Sequence, residues 1–171
     1  ALAFLAAEII EIAEKLGYDF KILKEVQRIN EEQKKIVIEK IRQGLWILKG
    51  KTVGVLGLAF KPNTDDIRSS IAMEIISMLQ AEGVKIRAYD PKAMIKAKDS
   101  LKGVTLCKNA YEAAKGSDCL AVLTEWSEFM ELDFDRIKAV MRQPLILDAR
   151  NMYEPSLIKK AGFKYIGIGR Q

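Results

Sequence analysis

Lys61, Asp65, Asp66 and Arg68 crowd into eight residues of the segment 51–70, KTVGVLGLAFKPNTDDIRSS. Two cations and two carboxylates so close together can grip an anion or pair with one another. The segment opens as an apolar run that reads as a buried strand, turns at Gly57, and enters a helix at Ser69-Ser70. A strand–loop–helix unit aims backbone N–H groups and the positive end of a helix at its loop, which suits a phosphate or nucleotide. Two more loops carry unusual residues: Tyr89-Asp90-Pro91, and Asp148 with Arg150 and Asn151. Lys61 and Arg150, read as lying on neighbouring strand ends, could hold a diphosphate between them. Arg offers bidentate contact and Lys a point charge. Phe60 could stack on or line a base pocket. The plainer alternative is that Lys61 and Arg68 pair with Asp65 and Asp66, and that Asp66 only favours the helix N-terminus.

A dinucleotide fingerprint would put G-x-G-x-x-G on this turn and a ribose-binding acid about 20 residues later. Here Gly54 and Gly57 are followed by Phe60 and Lys61, and the acid that ends the second strand, Asp90, lies 36 residues beyond Gly54. The excess is loop, and it fills the space a dinucleotide pyrophosphate needs. Ordinary NAD binding by this sheet is therefore not expected, and Asp90 is expected to brace a turn. The run Thr124-Glu125-Trp126 reads as a helix start with a packed Trp. No residue has the surroundings of a catalytic nucleophile or base. With no His, no Cys-x-x-Cys and no clustered carboxylates, a zinc site and a His-based triad are excluded. Cys107 and Cys119 fall in apolar strand-like segments and read as buried, reduced thiols of a cytoplasmic protein.

These loops need elements to position them. From residue 52 onward, short Val/Ile/Leu-rich runs alternate with helical stretches. Strands are expected over 52–56, 84–89, 104–108, 119–124, 145–148 and 165–168, and helices over 70–82, 94–101, 111–115, 127–142 and 156–161. That alternation predicts an α/β fold, a Rossmann-like doubly wound parallel sheet with ligands beyond the carboxyl ends of its strands. The first 50 residues differ. An amphipathic helix is expected over 1–16, with Leu2, Leu5, Ile9, Ile12 and Ala13 on one face and Gly17 at its end. Asp19 is expected to cap a second helix running to about Ile47, which carries Ile22, Leu23, Val26, Ile29, Ile36, Ile38, Ile41 and Leu45. At 1.5 Å per residue this helix is about 40 Å long, too long for its apolar surface to be buried by one small domain. It is expected to need a second subunit, a missing part of the chain, or both. The division is thus a helical dimerisation segment over 1–50 and a sheet domain over 51–171.

Charge and composition limit the partners. The net charge is +5 over 171 residues with acids and bases interspersed, which favours small anions and lacks the basic stripe of a nucleic-acid footprint. No apolar run is long enough to cross a bilayer. Residues 1–14 carry Glu8, Glu11 and Glu14 and no basic n-region, against a secretory signal. The chain opens inside a helical pattern without Met, and is expected to have been cut from a longer protein.

Five ordered motifs carry a resemblance: GLAFKPNTDDIRSS at 57–70, YDP at 89–91, SDCLAVLTEWSEF at 117–129, LDARN at 147–151 and GIGR at 167–170, with NEEQK at 30–34 in support. Together they resemble the nucleotide-sugar dehydrogenases of the UDP-glucose/GDP-mannose dehydrogenase family over nearly the whole chain. The resemblance implies a C-terminal fragment: part of the central helical region that builds a homodimer, then the C-terminal domain that binds the UDP-sugar. It implies substrate-binding roles for Phe60, Lys61 and Arg150, and a reach toward NAD for Arg68. The family oxidises the C6 alcohol of UDP-glucose or a related UDP-sugar twice, with NAD as acceptor. Its catalytic Cys, in a Cys-Phe-x-Lys-Asp motif, and its NAD fingerprint are absent from these 171 residues, so binding without turnover is implied. Many members have Pro after the Ser-Ser pair, where Ile71 stands here; that departure is expected to alter stability slightly and leave the site intact. The reading of another class is a free-standing nucleotide-binding or regulatory module without catalysis.

Overall fold

A computed structural model describes residues 2–170. Two helices come first, α1 (Leu2–Lys15) and α2 (Lys21–Leu45). An alternating series follows: β1 (Thr52–Leu56), α3 (Ile71–Ala81), β2 (Lys85–Tyr89), α4 (Met94–Ala97), β3 (Thr105–Leu106), α5 (Ala110–Ala114), β4 (Cys119–Val122), α6 (Ser127–Met130), α7 (Phe134–Val140), β5 (Leu145–Asp148), α8 (Pro155–Lys160) and β6 (Lys164–Gly167). The strands form one parallel sheet in the order β3-β2-β1-β4-β5-β6, the doubly wound arrangement expected from the alternation.

Strand composition explains this order. β1, β4 and β5 are buried along their whole length, so both faces must be covered by helices, and they occupy the centre. β2 and β6 each include exposed Lys and lie further out. Gly54 in β1 lets α5 approach closely: a Cβ there would stand 2.6 Å from the Ala113 carbonyl oxygen. The pairing places Gly54 between Arg87 of β2 and Leu120 of β4, so β1 is the axis from which the chain winds both ways.

α2 has two apolar faces. Val37, Ile38, Ile41 and Leu45 join the sheet's hydrophobic core, whereas Ile22, Val26, Ile29 and Ile36 are exposed. Corrections are needed at the helix starts and ends. On α1 the buried residues are Ala6, Ile10 and Ala13, while Ile9 and Ile12 are exposed; the side chains of Leu2 and Leu5 lie outside the described residues. Asp19 does not cap α2. Phe20 holds the cap position without a side-chain bond, and Asp19 pairs with Lys24 at 3.0 Å. α2 stops at Leu45 because Trp46 turns to a positive φ of 67°. The single helix expected over 127–142 is two, since Asp133 accepts a bond from the Arg136 N–H and starts α7 afresh. Cys107 lies one residue past β3.

Candidate functional site

The strand order switches between β1 and β4, and the loops leaving the strands there open a crevice at their carboxyl ends. The 57–70 loop is tied down at its root. Gly57 has φ 92°, and a Cβ on it would lie 2.5 Å from Cβ of Thr124, so the turn packs against the start of the loop after β4. The N–H groups of Leu58 and Ala59 donate to Asp90 Oδ2 at 2.7 and 3.0 Å. Ser70 Oγ donates to the Leu58 carbonyl at 2.6 Å, and Thr124 Oγ1 to the Ala59 carbonyl at 2.7 Å. Beyond this root the loop closes on itself, with Phe60 N–H donating to the Asp66 carbonyl at 2.8 Å.

Asp90 does brace a turn. Its Oδ2 accepts from Leu58, Ala59 and Trp126 Nε1, and its Oδ1 from the N–H groups of Lys92 and Ala93, with the residue only 1% exposed. Five donors leave it nothing to offer a ribose hydroxyl. The tight Gly57–Thr124 contact likewise closes the turn where a dinucleotide pyrophosphate would approach. The residues at the end of β1 and β2 therefore do not fit NAD, and no step through that cofactor is derived from this sheet.

On the far side of β4, Asp148 ends β5 buried. It accepts from the N–H groups of Arg150 and Tyr153 at 3.1 and 2.9 Å and from the Tyr165 hydroxyl at 3.0 Å. Burial and then the Asp148 carboxylate push the Tyr165 phenol upward, keeping it a donor. Asn151 is held by a two-point exchange with Ile168, donating at 2.8 Å and accepting at 3.2 Å. Arg150 thus projects from a fixed loop.

Lys61 and Arg150 are not on neighbouring strand ends, because β4 lies between β1 and β5. The loops nevertheless bring them to one place. Phe60, Lys61 and Arg150 line a cleft of about 280 Å³ with Leu123 and the start of α3, Ser70–Ala72. The N-cap Ser70 makes no side-chain cap to α3, its hydroxyl donating to Leu58 and its carbonyl accepting from the Met73 N–H at 3.2 Å, so the N–H groups of Ile71 and Ala72 are the ones left for a ligand. A second hollow of about 240 Å³ shares Ile71, Leu123 and Arg150 with this cleft and runs to Asn30 and Gln33 of α2. A larger hollow of about 520 Å³ lies at the opposite end of the sheet, lined by Trp46, Lys49 and Arg42, whose guanidinium is already paired with Glu39 and Glu82.

The ion pairs sort the four charged loop residues. Arg68 pairs with Asp66 at 2.9 Å, and Asp65 pairs with Lys96 at 2.8 Å. Lys61 has no carboxylate partner among the described residues. The Arg68 guanidinium, followed by the Arg68 N–H, holds the Asp66 carboxyl well below the usual carboxylate range. Arg68 is 88% exposed and lines neither cleft. Arg150 Nε meets Glu125 Oε2 at 2.8 Å. Burial pushes the Cys119 thiol up to about 12 and the Cys107 thiol upward, so neither offers a thiolate. The roles of Ser70, Thr124 and Glu125 were not read from the sequence. Their only signal was position, Ser70 at the entry to α3 and Thr124 and Glu125 just beyond β4 at the switch point.

Residues 54–155 match the family described as "UDP-glucose/GDP-mannose dehydrogenase family, UDP binding domain". UDP-glucose 6-dehydrogenase TuaD of Bacillus subtilis is 39% identical over 163 residues, which are 95% of this chain and 35% of that protein. UDP-glucose 6-dehydrogenase of Pseudomonas aeruginosa is 40% identical over 171 residues, covering 95% of this chain and 37% of the relative. A solved UDP-glucose dehydrogenase from Pyrobaculum islandicum superimposes with a TM-score of 0.79 at 32% identity, over 95% of this chain and 35% of that one. The chain spans about a third of the length of the relatives it matches.

Proposed function

The chain belongs to the UDP-glucose/GDP-mannose dehydrogenase family, and from that premise we propose that it is the C-terminal, UDP-sugar-binding part of an NAD-dependent UDP-glucose 6-dehydrogenase. The observation that carries this is the meeting of Phe60, Lys61, Arg150 and the uncapped start of α3 on one cleft at the switch point. Lys61 and the α3 N-terminus would neutralise one side of the diphosphate and Arg150 the other, with Phe60 against the apolar face of the nucleotide. The division is a helical segment over 1–50 that supplies dimer contacts and a nucleotide domain over 51–171.

NAD, held by another part of the whole enzyme, would accept the hydrides from the sugar's C6. The exposure of Arg68 supports a reach toward that cofactor, which would draw the guanidinium from Asp66. What these residues contribute is binding and orientation. Both cysteines are buried with raised thiol pKa values, which supports a chain without its own nucleophile and a reducing, cytoplasmic setting. Exposed Ile22, Val26 and Ile29, spaced four and three residues apart on α2, support a homodimer.

Calorimetry with UDP tests the site. Lys61→Ala and Arg150→Ala are each expected to weaken binding about tenfold or more, as loss of a charge-assisted contact does. Unchanged affinity in both variants would show that the cleft is not the UDP site. NAD reduction by the purified chain with UDP-glucose would refute the assignment of this piece to binding alone.

A further inference from the structure

We propose that Glu125 is a positioning residue that holds the Arg150 guanidinium in the cleft, an inference that rests on the cleft being a diphosphate site. Glu125 is carried by a backbone pinned on both sides. Before it, Thr124 is 1% exposed and donates its hydroxyl to the Ala59 carbonyl at 2.7 Å. After it, Trp126 is 4% exposed and donates Nε1 to Asp90 Oδ2 at 3.1 Å. The Trp126 N–H closes the turn on the Thr124 carbonyl at 3.1 Å. Both anchors are bound to the structure that supports Phe60 and Lys61: Ala59 immediately precedes Phe60, and Asp90 holds Ala59.

Apart from Glu125, Arg150 is fixed at its backbone, by Asp148. Its long side chain would otherwise lose much rotamer freedom on meeting a ligand. Glu125 Oε2 engages Nε at 2.8 Å. A guanidinium has five N–H donors, so holding Nε leaves the two Nη groups to bind an anion in the cleft that Arg150 lines. Glu125 therefore connects the loop after β1, which bears Lys61, with the loop after β5, which bears Arg150, and sets the distance between the two cations. The opposing effect is repulsion between the Glu125 carboxylate and the ligand. Its side chain is 44% exposed, so water screens that repulsion, whereas the orientation of Arg150 depends on it directly.

The test is calorimetric UDP affinity of the chain and of Glu125→Ala, Glu125→Gln, Arg150→Ala and the Glu125→Ala/Arg150→Ala double variant. Glu125→Ala is expected to weaken UDP about tenfold, the lower end of what loss of an orienting partner produces elsewhere. Glu125→Gln keeps the length of the side chain but not the charge of the ion pair, and is expected to fall between the parent and Glu125→Ala. Once Arg150 is Ala, removing Glu125 as well should change affinity less than about twofold, because coupled residues are not additive. Tighter UDP binding by Glu125→Ala would overturn the inference, since Glu125 would then be competing with the ligand. An equal loss in the Arg150→Ala background would overturn it too, since Glu125 would be acting on the fold. A parent chain that does not bind UDP refutes the nucleotide reading itself. A parent that binds UDP with an affinity Glu125→Ala leaves unchanged refutes this inference alone.

Discussion

Asp90 accepts five hydrogen bonds inside the protein, three of them joining it to the loop after β1 and to Trp126 of the loop after β4. Replacing one carboxylate oxygen by an amide N–H₂ would set donor against donor at two or three of these bonds. Asp90→Asn is expected to destabilise the chain by about 3 kcal/mol, read from urea unfolding, because unpaired buried groups carry their full desolvation cost. A change within about 0.5 kcal/mol would mean that the loop root holds without it. UDP binding should weaken in the same variant, since Leu58 and Ala59 lead directly into Phe60 and Lys61. The sequence spacing already removed Asp90 from ribose binding, because 36 residues after Gly54 is too far for the fingerprint. It did not show the five donors, which come from residues up to 36 positions away. Arg68 is the reverse case: its pairing with Asp66, two residues away, was one of the open readings and is what the structure contains.

At the scale of elements, α3 starts at Ile71 after Ser70 in an extended conformation (φ −73°, ψ 119°). That is the backbone Pro prefers in the residue before it, and the first helical position has no intrahelical bond for its N–H to make. Ile71→Pro is therefore expected to stabilise the chain by up to about 1 kcal/mol, seen as a modest rise in Tm, through reduced freedom of the unfolded state. A fall in Tm would show that the Ile71 side chain, 43% exposed, is worth more in the cleft wall than the Pro constraint. The strands were legible because each is a short apolar run bounded by turn residues. The helices were legible in position but less so in orientation. α1 packs on α2 through Ala6, Ile10 and Ala13, spaced four and three residues apart, and exposes Ile9 and Ile12. The break between α6 and α7 depends on Asp133 capping, a local bond that residue type permitted without requiring.

For the whole molecule, α2 is shared between two tasks. Its C-terminal half completes the core of the sheet while leaving Ile36 exposed, and its N-terminal half presents Ile22, Val26 and Ile29 outward. Buried Lys34, between these regions, pairs with Glu31 at 2.6 Å and with Glu74 of α3, tying the helix to the element that opens the cleft. If the outward stripe is the dimer seam, Val26→Lys with Ile29→Lys should convert a dimer to a monomer in sedimentation at about 10 µM, with a lower Tm that no longer depends on protein concentration. A parent chain already monomeric at that concentration would refute the dimer seam. What the sequence determined by itself is what local chemistry and periodicity control: the helix and strand alternation, the parallel sheet, and the loops that carry charge. What only the tertiary structure decided is how those loops meet, since the sequence paired Lys61 with Arg150 but on neighbouring strand ends. Lys61 and Arg150 are 89 residues apart in the chain and separated by β4 in the sheet, yet they face one cleft. That meeting follows from the winding reversing at β1, with loop backbones pinned by buried Asp90, Thr124 and Asp148, and no local pattern of residues encodes such long-range geometry.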